Sequence, residues 1–168
     1  MVKLYIMDPT HIQPLSITAG VITVSTSRSE DTDTSGALIK DLFNGGNIPV
    51  KYYTIVPDRI DAIRGATVTA MESCNCVVLN GGTGLTHDDC TIEAVAPLLE
   101  KKIDGFGELF RMKSFEEIGT ASMLSRALAG ITNGKVIFCI PGSNKAVKLA
   151  VSLLILPEIR HILTHANK

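Results

Sequence analysis

The stretch NGGTGLTHDD, residues 80–89, has the clearest chemical character in the sequence. Its glycines let the backbone approach an anion closely, and the N–H groups of such a loop and of a following helix can bind phosphate. The stretch fits neither G-x-x-x-x-G-K-S/T nor G-x-G-x-x-G, the two common nucleotide-binding patterns. It contains no lysine and ends in Asp88 and Asp89. A tight turn with capping aspartates has the same composition, so this motif by itself leaves both interpretations open.

Carboxylates beside a phosphate loop suggest a metal–phosphate site. Asp89 lies beside the glycines, and Asp58 follows another predicted strand. A carboxylate repels phosphate unless a cation lies between them, and Mg²⁺ typically binds one or two carboxylates together with substrate phosphates. Asp58 could instead cap a helix, with Asp61 completing a weak capping box, and Asp89 could cap a helix that begins near Thr91. The pattern defines no role for Asp88.

Two further polar segments follow predicted strands. In PGSNKA, residues 141–146, Ser143 and the backbone N–H groups after it could hold a phosphate, and Lys145 adds a positive charge. A Pro-Gly turn with a serine cap explains this motif equally well. The loop TSRSEDTDTSG, residues 26–36, could form a second site for a phosphate or a polar ring, although most polar loops have no such role.

Other candidate residues carry weaker signals. His161 and His165 have the spacing of metal ligands on a helix, but the sequence shows no third ligand, which favours a solvated helix face. Glu108 and Arg111 lie in a predicted helix and could line a cleft.

The elements that would position these residues alternate between strands and helices. Short apolar runs predict strands at residues 20–26, 50–56, 76–80 and 135–140. Periodicity predicts helices at about residues 35–44, 59–71, 91–99 and 143 onward, with a break at Pro157. Two helices that meet near Gly119 are predicted between residues 101 and 132.

This alternation predicts an α/β fold with a mostly parallel sheet covered by helices on both faces. Ligands of such sheets bind beyond the carboxyl ends of the strands. The polar segments at residues 25–36, 57–58, 80–89 and 141–145 all leave strands at that edge, so we expect the chemistry there.

Composition narrows the class of protein. A chain of 168 residues with 45% apolar and 20% charged residues suits one domain, residues 1–168. With 16 basic against 17 acidic side chains and no tryptophan, we expect neither a nucleic-acid nor a membrane partner. The four cysteines lack the spacing of a zinc site or a disulfide framework, which favours a cytoplasmic protein. Residues 1–19, with early prolines, are expected to form an N-terminal arm over the surface or into a neighbouring subunit.

Taken in order, NGGTGLTHDD, GFGELFRMKSFEEIGT, SRALAG and PGSNKA resemble the MoaB/MogA family of molybdenum cofactor biosynthesis proteins. EDTDTSG is also similar to the first loop of that family. The similarity runs from about Gly20 to the C-terminal helix. GGTGLT and FRMKSFEEIGT are more similar to the MoaB branch, and Leu85 stands where the MogA branch tends to carry proline.

The resemblance implies a three-layer α/β/α sandwich and a homo-oligomer, either a trimer or a hexamer. It implies that the terminal phosphate of molybdopterin attacks the α-phosphorus of Mg-ATP, which releases pyrophosphate before the metal is inserted. The implied partners are molybdopterin, ATP and other enzymes of the pathway. Alternatives are a non-catalytic molybdopterin-binding or scaffold protein of that pathway, and an unrelated nucleotide-binding regulatory module.

The resemblance also assigns residues. Asp58 and Asp89 match the catalytic aspartates and would act through Mg²⁺. The backbone that would hold the nucleotide phosphates belongs to Gly81, Gly82, Thr83 and Gly84. The pterin-side loop would include Ser25, Arg28, Asp33 and Ser35. The remaining assigned ligand contacts are Glu108 in GFGE and the nucleotide-side turn of Pro141, Gly142, Ser143 and Lys145.

Overall fold

The computed structural model of the chain describes residues 12–168. Its strands are β1 (Ala19–Val24), β2 (Val50–Val56), β3 (Cys76–Asn80), β4 (Lys101–Lys102), β5 (Leu128–Thr132) and β6 (Lys135–Ile140). Its α-helices are α1 (Thr34–Gly45), α2 (Ile60–Ser73), α3 (Thr91–Val95), α4 (Asp104–Ile118), α5 (Asn144–Lys148) and α6 (Leu156–Ala166). A π-helix, Leu149–Ile155, joins α5 to α6, and short 3₁₀ helices span Glu30–Thr32, Ala96–Leu98 and Gly119–Leu124.

The strands form one sheet in the order β2-β1-β3-β6-β5-β4. The first four strands in this order, β2, β1, β3 and β6, are parallel to one another. Strand β5 is antiparallel to both of its neighbours, β6 and β4. The expected mostly parallel sheet is therefore confirmed. β1 and β3 are buried along their whole length because helices cover both faces of the sheet, which explains their continuous apolar sequences.

The two faces of the sheet have separate cores. Val78 and Phe138 lie in one core with α1, α4 and the C-terminal helical segment. Val77 and Ile137 lie in the other core with α2 and α3. Adjacent residues of one strand thus enter opposite cores, as strand geometry requires. The predicted three-layer α/β/α sandwich is confirmed.

The prediction of two helices between residues 101 and 132 is wrong in its second half. After α4 and the 3₁₀ helix Gly119–Leu124, the chain forms strand β5. Asn133 and Gly134 both have positive φ, 49° and 70°, and connect β5 to β6 in a two-residue turn. Asn-Gly is the preferred sequence for this hairpin geometry, so the tight turn sets the antiparallel pairing.

The predicted break at Pro157 is also wrong. The chain remains helical from α5 to α6, and Pro157 lies in the first turn of α6, directly after the π-helix. Proline is tolerated in the first turn of an α-helix, because an N–H group there makes no bond within that helix. The helix predicted at about residues 91–99 is shorter, since α3 ends at Val95 and Pro97 lies in a 3₁₀ turn.

Most of the expected N-terminal arm, residues 1–11, lies outside the described residues. Residues 12–18 run along the domain without a helix or strand. The Gln13 N–H donates to Oγ1 of Thr164 at 3.1 Å, and Arg160 donates to the carbonyl of Leu15 at 2.7 Å. Within residues 12–168, no helix is both long and apolar enough to cross a membrane.

Candidate functional site

The carboxyl ends of β1, β2, β3 and β6 bring the four polar segments together. A Cβ atom placed on Gly81 would lie 2.4 Å from the Val24 carbonyl oxygen, and one on Gly142 would lie 3.2 Å from Cα of Gly81. A Cβ atom on Gly82 would lie 3.2 Å from Oδ1 of Asp58. Loops from three further strands therefore contact the GGTG loop, and glycine is required where backbones approach this closely.

The GGTG loop begins with two glycines in left-handed conformations. Gly81 has φ of 94° and Gly82 has φ of 65°. Thr91, the first residue of α3, holds both: its hydroxyl donates to the Gly81 carbonyl at 2.8 Å, and its N–H donates to the Gly82 carbonyl at 3.0 Å. The start of α3 thereby fixes the shape of the loop.

The N–H groups of this loop are not equally available. The Gly81 N–H donates to the Ile140 carbonyl at 3.0 Å, and the Gly84 N–H faces the carboxylate of Asp89. The N–H groups of Gly82 and Thr83 have no hydrogen-bond partner within residues 12–168. The anion-binding capacity of the loop therefore lies in its two central residues.

Asp58 and Asp89 border this loop, and each is held by a threonine. Thr26 donates its N–H, at 3.1 Å, and its hydroxyl, at 2.9 Å, to Oδ2 of Asp58. Thr86 donates its N–H, at 2.9 Å, and its hydroxyl, at 2.7 Å, to Oδ2 of Asp89. Each carboxylate keeps its other oxygen clear of the threonine.

The predicted capping roles of these aspartates are wrong. The N-cap residue of α2 is Arg59, with no side-chain capping bond, and Arg59 instead pairs with Asp61 at 2.6 Å. The N-cap residue of α3 is Cys90, also without a side-chain bond. Since neither Asp58 nor Asp89 caps a helix, their carboxylates remain available for chemistry.

The electrostatics of this edge favour a bound cation. Burial alone would raise the pKa of Asp89, but hydrogen bonds from Thr86 and Gly84 and the charge of Arg126 lower the pKa below its ordinary value. Asp89 is therefore ionised at neutral pH.

The thiol of Cys90, next to Asp89, is also affected by the negative charges at this edge. Burial raises the pKa of Cys90, and the charges of Asp58, Glu93, Asp89 and Asp88 raise the pKa further. All four carboxylates are thus near enough to Cys90 to act on its thiol. Two of them offer an oxygen at the phosphate loop, a donor set that fits Mg²⁺. Among the described residues, no group of three or more histidine, cysteine or acidic side chains could hold a metal ion.

A buried polar network lies beneath the loop. Asp33 caps α1 by accepting from the Gly36 N–H at 3.0 Å, and it also accepts from the hydroxyls of Thr23 at 2.6 Å and Tyr53 at 2.7 Å. Burial by itself would raise the pKa of Asp33, but these bonds, with one from Ser35, lower it. Asp33 is consequently a structural anchor with its oxygens already occupied.

This network extends to the loop after β1. The hydroxyl of Ser35 donates to Oδ1 of Asn80 at 2.7 Å and is within 2.5 Å of the Arg28 guanidinium. The Ser25 hydroxyl accepts from the N–H groups of Ser27, at 3.3 Å, and Arg28, at 3.2 Å. Arg28 is partly exposed and lies 3.5 Å from Asp33, so its guanidinium can reach a ligand at this edge.

The turn after β6 adds a cation at the rim. Ser143 caps α5, as predicted, by accepting from the Ala146 N–H at 3.2 Å. Pro141, Ser143 and Lys145 line a groove of about 140 Å³ against α4. Lys145 is exposed there, so its ammonium group can reach an anion in the groove.

The remaining predicted residues lie apart from the loop. Glu108 and Arg111 line a groove of about 230 Å³ with Gly107 and Ala127, and no residue of the GGTG loop lines it. His161 and His165 have ring centroids 4.8 Å apart, and Nδ1 of His161 is 3.1 Å from Glu158.

Arg126 is a site residue that the sequence did not single out. Its Nε donates to the Thr83 carbonyl at 2.9 Å, and its guanidinium pairs with Glu93 on α3. Arg126 lies in SRALAG, one of the segments that carry the family resemblance. Its contact with Thr83, 43 residues away, cannot be predicted from the spacing of residues in the sequence.

The chain is similar to known proteins over most of its length. A family model described as "Probable molybdopterin binding domain" matches residues 20–161. Molybdenum cofactor biosynthesis protein B of Bacillus cereus is 47% identical over 152 residues, covering 89% of this chain and 90% of the relative. A crystal structure of molybdenum cofactor biosynthesis protein B matches with a TM-score of 0.88 and 45% identity, covering 92% of this chain and 98% of the other. The tungsten cofactor synthesizing protein MoaB from Pyrococcus furiosus matches with a TM-score of 0.84 and 41% identity, covering 93% and 100%.

Proposed function

Because the chain belongs to the MoaB branch of the molybdopterin-binding-domain family and so acts in molybdenum cofactor biosynthesis, we propose that it adenylylates molybdopterin with Mg-ATP. The observation that carries the proposal is the pair of carboxylates at the GGTG loop. Asp58 and Asp89 border the loop in which Gly82 and Thr83 offer unpaired N–H groups.

The proposed reaction transfers AMP to the terminal phosphate of molybdopterin. An oxygen of that phosphate forms a bond to the α-phosphorus of ATP, while the bond from this phosphorus to the bridging oxygen breaks. The bonding electron pair leaves with pyrophosphate. Such transfers depend on alignment and charge neutralisation more than on covalent catalysis.

The residues divide the task between binding and orientation. Gly82 and Thr83 would bind nucleotide phosphate through their N–H groups, and Lys145 would reach it from the turn after β6. Asp58 and Asp89 would hold Mg²⁺, which supplies charge neutralisation at the phosphates. Arg28 would contact the pterin substrate on the side of the loop after β1.

We also propose where the protein acts, its partner enzymes and its oligomeric state. The cytoplasm holds ATP, and the reduced cysteines suit it. The enzymes that supply molybdopterin and insert the metal are the proposed partners. We also propose a homo-oligomer, a trimer or a hexamer, because six large apolar side chains on α4 and the following 3₁₀ helix are exposed: Leu109, Met112, Phe115, Ile118, Met123 and Leu124.

The test is incubation of the purified protein with molybdopterin, ATP and Mg²⁺ while pyrophosphate is measured. We expect release that depends on all three components, with adenylated molybdopterin formed in equal amount. Folded protein with verified molybdopterin that releases no pyrophosphate above background would reject the enzyme. Molybdopterin binding without release would favour the scaffold alternative instead.

A further inference from the structure

The two threonine–aspartate pairs at the GGTG loop have the same construction although they lie on different loops. Thr26 leaves β1 and binds Asp58 after β2, whereas Thr86 binds Asp89 within the loop after β3. In both pairs the threonine donates its N–H and its hydroxyl to a single carboxylate oxygen. Two donors on one oxygen fix the rotation of the carboxylate and leave the second oxygen for another partner.

Each pair also has a bond from the aspartate backbone: the Asp89 N–H donates to the Thr86 carbonyl at 3.2 Å, and the Asp58 N–H donates to the Thr26 hydroxyl at 3.4 Å. The bonds to the carboxylates are not needed to compensate burial. Thr26 and Thr86 are exposed, so water could satisfy the same carboxylates at little cost. Neither aspartate caps a helix. Oriented but solvent-accessible carboxylates are instead what a metal–phosphate complex requires, because a bound cation needs oxygens held at fixed positions.

We propose that Thr26 and Thr86 are positioning residues that orient Asp58 and Asp89 toward the cation of the bound nucleotide. Neither threonine touches the reacting atoms. Each acts through its aspartate, by holding one oxygen so that the other is directed to the metal. This inference rests on the proposed function, since it assumes that a nucleotide–metal complex binds at the GGTG loop.

Each threonine could act by orienting its aspartate or only by packing, and these two roles predict opposite effects of valine and serine substitutions. Thr→Val keeps the branched shape and removes the hydroxyl donor, whereas Thr→Ser keeps the hydroxyl and removes a methyl group. If orientation matters, valine is harmful and serine is tolerated at both positions. If packing matters, serine is harmful and valine is tolerated.

The experiment measures Mn²⁺ binding by electron paramagnetic resonance, with a saturating ATP analogue whose α,β-bridge is methylene. Wild type is compared with Thr26→Val, Thr26→Ser, Thr86→Val and Thr86→Ser, and Thr69→Val on the exposed face of α2 serves as the control. We expect Mn²⁺ affinity to fall about tenfold in each valine variant and to change little in the serine variants and the control. Pyrophosphate release should fall by about ten- to a hundredfold in the valine variants, with the KM for molybdopterin unchanged.

The outcomes separate this inference from the proposed function. If wild type binds Mn²⁺ with the nucleotide while the valine variants match it, or the serine variants are the weaker ones, the positioning role is rejected. If wild type binds no Mn²⁺–nucleotide complex, the nucleotide site fails and the inference fails with it. If wild type binds the complex without turnover, adenylylation is rejected and the Mn²⁺ measurement alone decides the role of the threonines.

Discussion

Nε of Arg126 donates to the backbone carbonyl of Thr83 at 2.9 Å, so a side chain just before β5 holds the centre of the GGTG loop. The same guanidinium pairs with Glu93 on α3. The hydrogen bond to Glu93 raises the pKa of Arg126, burial opposes this shift, and the charges of Glu93 and Asp89 raise the pKa further. The loop is thus fixed from α3 on two sides, by Thr91 directly and by Glu93 through Arg126.

Replacing Arg126 should loosen the loop without removing a ligand of the nucleotide. We expect Arg126→Lys to weaken nucleotide binding by about tenfold, because an ammonium group cannot contact Glu93 and the Thr83 carbonyl in the same planar arrangement. Isothermal titration with ATP and Mg²⁺ measures this. Arg59→Lys, which alters an exposed pair with Asp61, is the matched control. Equal affinity in wild type and Arg126→Lys would show that the loop holds its shape alone.

Asp89→Asn should separate binding from turnover. The amide keeps the size of the side chain but loses the charge, so we expect pyrophosphate release to fall by at least about a hundredfold while nucleotide binding is largely kept. Asp88→Asn is the matched control, because Asp88 is exposed and has no hydrogen-bond partner within residues 12–168. Unchanged turnover in Asp89→Asn would remove this residue from the proposed mechanism.

The parts of the fold that the sequence predicted are those where burial dictates residue type. β1 and β3 are buried on both faces, so their sequences are apolar throughout and easily recognised. β5 was missed because LAGIT is short and breaks its apolar run with Gly130, and its two large apolar residues, Leu128 and Ile131, are only partly buried. Its pairing depends on the Asn133-Gly134 turn and on β6, a relationship between segments that helical periodicity does not reveal.

The location of the candidate site could be predicted from the sequence, but the hydrogen bonds that hold its aspartates could not. The rule that ligands bind at the carboxyl ends of parallel strands placed Asp58 and Asp89 at one edge, and the structure puts both at the GGTG loop. The partners that hold them, Thr26 and Thr86, were not predicted. Threonine in a polar loop is common, and only the folded loops bring its two donors to one oxygen.

The buried carboxylate of Asp33 should make stability depend on pH. Its pKa in the folded state is lower than the ordinary 3.8, so its stabilising contribution is present above that value and is lost as pH falls through the folded-state pKa. We expect Asp33→Asn to lower the free energy of unfolding by about 1.5–3 kcal/mol at pH 7. The difference from wild type should shrink below about pH 4.

Urea unfolding at pH 7 and at a series of acidic values measures this difference. Asp31→Asn, an exposed position in the same loop, is the matched control and should change stability little. A difference between Asp33→Asn and wild type that stays constant down to pH 2 would contradict the role of the ionised carboxylate.

Two glycines should respond in opposite ways to alanine. At Gly81, φ is 94° and a Cβ atom would lie 2.4 Å from the Val24 carbonyl oxygen, so Gly81→Ala should cost about 2–4 kcal/mol. At Gly65, in the exposed part of α2, nothing lies within 4 Å, so Gly65→Ala should stabilise by about 0.5–1 kcal/mol. Thermal unfolding of both variants tests this, and a neutral Gly81→Ala would mean that β1 and the loop can move apart.

The exposed apolar residues of α4 and the following 3₁₀ helix should be buried between copies of the chain. Phe115 is 56% exposed and Met123 is 76% exposed, fractions that are unusual for such large apolar side chains. We expect wild type to sediment as a trimer or hexamer and Phe115→Glu to shift toward smaller species, since a carboxylate at an apolar interface loses its hydration. Thr69→Glu on α2 adds the same charge elsewhere and should leave the oligomer intact. A monomeric wild type would leave these side chains in water, and the proposed assembly would then be wrong even if the enzyme were active.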